Sequence, residues 1–264
     1  AIYERPFKHG GMTSTLSTAI IAKRDELIAL TQDLIRIPTL NPPGRNYRQI
    51  CTYLADRLGP KGFAIQLIRA EGAPADCVLA GVHEVMGLAK PDLILSGVNK
   101  GNNSAENTVY SGTIGAAMEG ALQGVKSIAM SQYFGPGNLR LENQFEAPAA
   151  HGAELVKNLL QNGIWGGEGY QTFYNVNFPP VAASDVKGTR VVRQGLRPTG
   201  GMGVESHMPP NGRKYLWIKG NPQNVCSGEN TDASVNIDGW ISVTPMRCDL
   251  TAHDLLDDLE RRLS

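Results

Sequence analysis

PDLILSGVNKGNNSAENTVYSGTIGAAMEGALQGV, residues Pro91–Val125, is the stretch from which the rest of the chain is read. An apolar strand, Asp92 to Ser96, runs into a loop crowded with Gly and Asn, and Tyr110-Ser111-Gly112-Thr113 then opens a helix of small residues to Gln123. In parallel sheets, ligands bind beyond the carboxyl ends of the strands, where such loops lie. Asn99 sits at that end and offers a neutral carbonyl oxygen, a reasonable ligand for a hard divalent cation such as magnesium or manganese. The free N–H groups and positive dipole end at Ser111-Gly112-Thr113 suit a phosphate, and Gly112 lets the backbone approach closely. The plainer alternative has Ser111 or Thr113 capping the helix and Asn99 making a turn. Ser-Gly-Thr alone does not choose between them.

Working outward, strands at 127–131 and 172–176 alternate with helices at 112–123 and 148–161. Strand–helix alternation implies a largely parallel sheet with helices on its faces, a three-layer α/β fold. Upstream, amphipathic helices are expected at 16–37 and 47–58, a short strand at 63–68, and a helix from Pro74 to Met86. From Val181 the texture changes to short β segments rich in Gly and Pro, at 188–193, 215–219 and 240–244, which we read as a C-terminal β arm. A final helix, 252–263, is expected to turn Leu255, Leu256 and Leu259 inward. The expected organisation is therefore a helical segment 1–72, an α/β core 73–180, a β arm 181–251 and a C-terminal helix 252–264.

The chain has 264 residues, 41% hydrophobic and 19% charged, and its 25 basic and 25 acidic side chains cancel. That balance argues against a nucleic-acid polymer as partner and leaves small phosphorylated ligands open. Cys51, Cys77, Cys226 and Cys248 show neither zinc spacing nor a disulfide framework, so free thiols in a cytosolic protein are expected. No apolar run approaches the roughly 20 residues that span a bilayer. Ala1 to Gly11 lacks the apolar core of a signal peptide, and Met12 would serve as a natural start. The sequence holds few other candidates. His253 reads as a surface residue, Gly200-Gly201-Met202-Gly203 as an exposed turn, and Trp217 and Trp240 as packing for the arm.

The longer string is more specific. PADCVLAGVHEVM, Pro91–Val125, FYNVNFPP, KYLWI and NTDASVNIDGWISVTPMRCDLT together resemble the SurE family of 5′/3′-nucleotidases, in order, over residues 73–252. The resemblance implies a Rossmann-like domain, a β arm exchanged between copies, and divalent-metal-dependent removal of phosphate from nucleoside monophosphates. It matches Asn99 to the family's metal-binding asparagine and Ser111, Gly112 and Thr113 to its phosphate-side loop. In that family the chain starts with a strand ending in Asn-Asp-Asp-Gly, whose aspartates hold the metal. This sequence contains no such run, and its one Asp-Asp pair, Asp257-Asp258, falls on the C-terminal helix.

In that place, Leu27 to Pro74, with its IPTLNPPG run, resembles the N-terminal segment of acetylornithine deacetylase and succinyl-diaminopimelate desuccinylase-type zinc amidohydrolases. The His-x-Asp and Glu-Glu ligands of those enzymes do not follow, so no catalytic residue transfers. The chain reads as a fusion of an amidohydrolase head and a nucleotidase body. Three functional readings stand: a metal-dependent nucleotidase weakened by the missing aspartates, a non-catalytic phosphate-binding oligomeric scaffold, and an amidohydrolase. A homo-oligomer, dimer or tetramer, is expected in each of the first two, and no catalytic residue is assigned. Asp33, Asp56 and Asp76 are the candidates for a replacement carboxylate.

Overall fold

The computed structural model describes residues 47–61, 73–87, 90–166, 169–198, 202–208, 212, 214–220, 222–225 and 227–264. The helix expected at 16–37, the strand at 63–68 and Asp33 lie outside these residues. Helix α1, Tyr47–Leu58, falls where its periodicity puts it. Helix α2, Pro74–Ala80, starts on Pro74 and is shorter than expected, because at Gly81–Val85 the chain widens into a π turn.

The sheet begins with β1, Leu93–Lys100, β2, Lys126–Gln132, and β3, Phe173–Phe178. These three run parallel, joined by α3, Gly112–Leu122, and α4, Glu146–Asn162. Two strands from the C-terminal half extend the same sheet: β4, Thr189–Val191, and β7, Ile241–Met246. The order is β1-β2-β3-β7-β4, with β7 antiparallel to β3 and parallel to β4. A separate two-stranded hairpin comprises β5, Met202–His207, and β6, Tyr215–Gly220. Helix α5, Asp232–Ile237, precedes β7, and α6, Leu256–Leu263, ends the chain.

Alternation along the buried strands assigns two faces. Ile128 and Met130 of β2 join Tyr174, Val176 and Phe178 of β3 and Ile241 and Val243 of β7 in a cluster under α4. Ala129 and Phe173 pack on the opposite face against Ile114, Ala117 and Ala121 of α3. The small residues of α3 let it lie close to the sheet, and a Cβ on Gly120 would overlap Ser127 Oγ of β2.

Two expectations about the C-terminal half are corrected. Residues 181–251 are not one β arm, since β4 and β7 complete the main sheet and, among the described residues, only the strands β5 and β6 stand apart. Their apolar runs are short because β4 is a fully exposed edge strand and β7 is buried only from Ile241 to Thr244. Trp240 accordingly belongs to the core sheet's edge, under the Arg190 guanidinium at 4.1 Å, while Trp217 stays exposed on the hairpin. The other correction is α6. Leu255, Leu256 and Leu259 are exposed within the single chain, so the apolar stripe faces outward.

Candidate functional site

At the carboxyl end of the sheet the face under α3 changes from apolar to polar. Going up β2 it reads Ser127, Ala129, Ser131, and going up β3 it reads Phe173, Asn175, Asn177. Strand register lines these residues up. Asn99 pairs with Ser131, Ser131 with Asn177, and Asn177 with Ser242, giving one polar row across four strands. A second row behind it joins Ala129, Asn175 and Thr244.

Asn99 reaches the row through an irregularity in β1. Ser96 pairs with Ala129 and Asn99 with Ser131, so three steps on β1 match two on β2. Gly97 makes this possible. Its φ of +117° is a conformation that residues with a Cβ rarely adopt, and a Cβ there would overlap the Met130 carbonyl oxygen.

The loop after β1 lies over the row and is bonded to it. The Asn103 N–H donates to Asn177 Oδ1 (2.7 Å) and to Ser131 Oγ (3.2 Å). The Ser131 hydroxyl also donates to Asn177 Oδ1, and Asn175 Nδ2 donates to the Asn103 carbonyl (2.9 Å). Asn236 of α5 donates to the Asn177 carbonyl (2.8 Å). Every one of these side chains is buried, where an unpaired polar group is costly, so the loop has one well-defined seat.

Asn99 is half-buried, and its Nδ2 donates to the Gly101 carbonyl (2.9 Å) and weakly to Asn103 Oδ1 (3.4 Å). That fixes which atom is turned away. Oδ1 accepts no hydrogen bond among the described residues, leaving one carbonyl oxygen available to a ligand.

Ser111 does cap α3, its Oγ accepting the Ile114 N–H at 3.1 Å. The capping alternative is therefore realised, without using up the N–H groups of Gly112 and Thr113. The lack of a side chain at Gly112 serves packing: a Cβ there would come 2.7 Å from Pro74 Cγ of α2. Gly112 itself is exposed and Thr113 is half-buried.

The residues around the row do not fit a metal ion by themselves. They are amides and hydroxyls, and no group of three or more His, Cys, Asp or Glu capable of holding a metal occurs among the described residues. The buried carboxylate nearest the loop, Asp232, is occupied. It accepts the N–H groups of Ala105 (3.1 Å), Gly195 (2.8 Å) and Ala233 (2.7 Å). Burial pushes its pKa up, against the pull of those three N–H groups and of Arg197. Asp56 is exposed on α1, and Asp76 spends a carboxylate oxygen on the Ala73 N–H at 2.6 Å.

Comparison with known proteins bears on this geometry. The family described as Survival protein SurE matches residues 35–200, more than half of the chain. The chain belongs to the SurE family. Its match begins inside the segment 27–74, and the amidohydrolase resemblance read there finds no support. A 5′-nucleotidase SurE of Jannaschia sp. (strain CCS1) is 63% identical over 209 residues, covering 78% of each chain. Another, from Roseobacter denitrificans (strain ATCC 33942 / OCh 114), is 55% identical over 203 residues, covering 77% of this chain and 76% of that one. Among solved structures, the SurE protein from Aquifex aeolicus shares 35% identity and superposes with a TM-score of 0.59 over 74% of each chain. The Rossmann-like α/β fold expected for a SurE protein is the fold observed.

Sequence reading had singled out Asn99 and Ser111–Thr113 but missed Asn103, Ser131, Asn175, Asn177 and Asp232. The signal was there in FYNVNFPP. Two asparagines spaced by two on a buried strand must share a face and must find partners there. No helix among the described residues is long and apolar enough to cross a membrane. Cys51, Cys77 and Cys248 are free thiols, and Cys226 lies outside the described residues.

Proposed function

We propose that this chain binds nucleoside monophosphates, or similar small phosphomonoesters, at the carboxyl edge of the sheet, and that it hydrolyses them weakly. The observation that carries this is the polar row Asn99–Ser131–Asn177–Ser242, which ends at an amide oxygen with no partner among the described residues. Family membership and relatives named 5′-nucleotidase support the reaction class. In this reading the phosphate takes the N–H groups of Gly112 and Thr113 at the start of α3, and Asn99 Oδ1 contributes one ligand to magnesium or manganese.

Slow turnover follows from charge. A divalent cation held by neutral oxygens lacks the carboxylates that offset its charge, and the sequence has no Asn-Asp-Asp-Gly run to supply them. Hydrolysis of nucleoside monophosphates should be measured with and without manganese, beside calorimetric binding of the same nucleotides. The expected result is measurable binding with turnover orders of magnitude below that of a SurE protein carrying the aspartate pair. Brisk manganese-dependent hydrolysis would sink the impairment and locate a carboxylate in the head or in a second copy. Neither binding nor hydrolysis would sink the proposal entirely.

Association into a homo-oligomer is part of the same reading. Tyr215, Leu216, Trp217 and Ile218 are consecutive residues of β6, so they point to both faces of the hairpin, and all four are exposed. A two-stranded sheet with both faces apolar is marginal alone in water and is stabilised by burial against another copy.

A further inference from the structure

The loop that follows Asn99 is held from the far half of the chain. Arg197, in the connection between β4 and β5, is 2% exposed. Its Nη1 donates to the Ser104 carbonyl (3.2 Å), and its Nη2 to Ser104 Oγ (3.0 Å) and Asn102 Oδ1 (3.3 Å). Glu106 closes the grip. Its Oε2 lies 3.4 Å from Nη1 and its Oε1 accepts the Arg197 N–H.

A guanidinium is buried at a heavy desolvation cost and persists only where several hydrogen bonds and a charge offset it. Both ends of this fork are aimed at one five-residue loop, 102–106. Asn102 and Ser104 are the two neighbours of Asn103, whose backbone sits on the polar row and whose Oδ1 meets Asn99. Beyond the hairpin, Gln223 Oε1 accepts from Asn107 Nδ2 at 2.7 Å, so the same loop is also tied to the chain after β6.

We infer that Arg197 is a positioning residue of the nucleotide site: by fixing Asn102 and Ser104 it fixes Asn103, and through Asn103 the direction in which Asn99 Oδ1 faces. The inference rests on the functional reading above, but its geometry is independent of any metal. Arg197 does not itself touch the ligand, since its side chain is enclosed. Lysine at this position would retain the charge and lose the fork that spans Asn102 and Ser104.

The test uses the whole chain with Arg197→Lys and, as a gentler variant at a partly exposed position, Glu106→Gln. Three quantities are read: binding of adenosine monophosphate and of inorganic phosphate by calorimetry, the melting temperature, and amide hydrogen exchange at 102–107 relative to 173–178 in β3. We expect exchange in the loop to rise at least tenfold while β3 stays protected, and both ligands to bind about tenfold more weakly. Glu106→Gln should do this with its melting temperature within about 3 °C of the wild type. Unchanged affinity in both folded variants overturns the inference, and so does exchange that rises equally in loop and strand. If the wild type binds neither ligand, the functional reading falls by itself, and the loop-to-strand exchange ratio still decides the role of Arg197.

Discussion

Gly97 carries more of the site than any residue with a functional group. The irregularity that brings Asn99 level with Ser131 depends on its left-handed φ and on the close passage of the Met130 carbonyl. The obstacle is backbone, which cannot step aside without breaking the β1–β2 ladder. Gly97→Ala should therefore cost about 3 kcal/mol or more, read from the urea midpoint at constant m. Asn177 is the polar counterpart. Removing its side chain strips the Asn103 N–H and the Ser131 hydroxyl of a shared acceptor in a buried place. Asn177→Ala is expected to cost about 2–4 kcal/mol and to loosen exchange at Asn103 first. Neither result is expected of Ser111→Ala, which loses an exposed-end cap worth about 1 kcal/mol. At this scale the sequence showed Asn99 because it ends an apolar run. It hid Asn103 and Ser131, whose roles depend on a loop meeting a strand 28 residues further along the chain.

Among the elements, those with a strong period were legible and those made by partnership were not. Helices α1, α3 and α4 and strands β1 to β3 lie within a few residues of expectation, because apolar spacing and Gly or Pro breaks mark them. The β4 and β7 strands read as parts of an arm because three to six residues of pattern do not say which sheet they join. Helix α6 was misjudged for a related reason. Its amphipathic pattern is real, but a pattern says that one face wants cover and not which surface provides it. The approach to α6 carries a charge feature that can be tested. Asp249 is held down at about 2 by the Thr251 hydroxyl and N–H, with His253 Nε2 at 2.6 Å. Since the folded pKa lies below the ordinary 3.8, its contribution is complete above that value and fades as pH falls toward about 2. Asp249→Asn should flatten the stability-against-pH curve across that window and lower it by a constant amount above about pH 5, as checked by thermal melts.

For the molecule as a whole, the described residues present two uncovered apolar surfaces, the hairpin β5–β6 and the outward leucines of α6. Replacing 202–220 with a short Gly-Ser link should reduce association of the full chain, measured by light scattering at micromolar concentration, while circular dichroism keeps its α/β character. A truncated chain that associates as well as the wild type would move the interface to α6. The fold class was readable because strand–helix alternation is a property of the whole chain. The closed site was not, because its ties run between the two ends of the fold.

Those ties have a consequence for the order in which the site comes into being. Asn99 and its loop leave the ribosome early, yet Arg197 lies 93 residues beyond Ser104, and Asp232 lies 127 residues beyond Ala105. During synthesis at about 5–20 residues per second, β1 to β3 with α3 and α4 can collapse while the loop still waits for its clamp. Long-range closures of this kind are entropically late. A nascent chain halted before Asp232 would thus hold a sheet with an unformed pocket. The seat of the loop over the polar row is accordingly a late acquisition of folding, gained only after the hairpin has been made and its two legs have come back to the sheet.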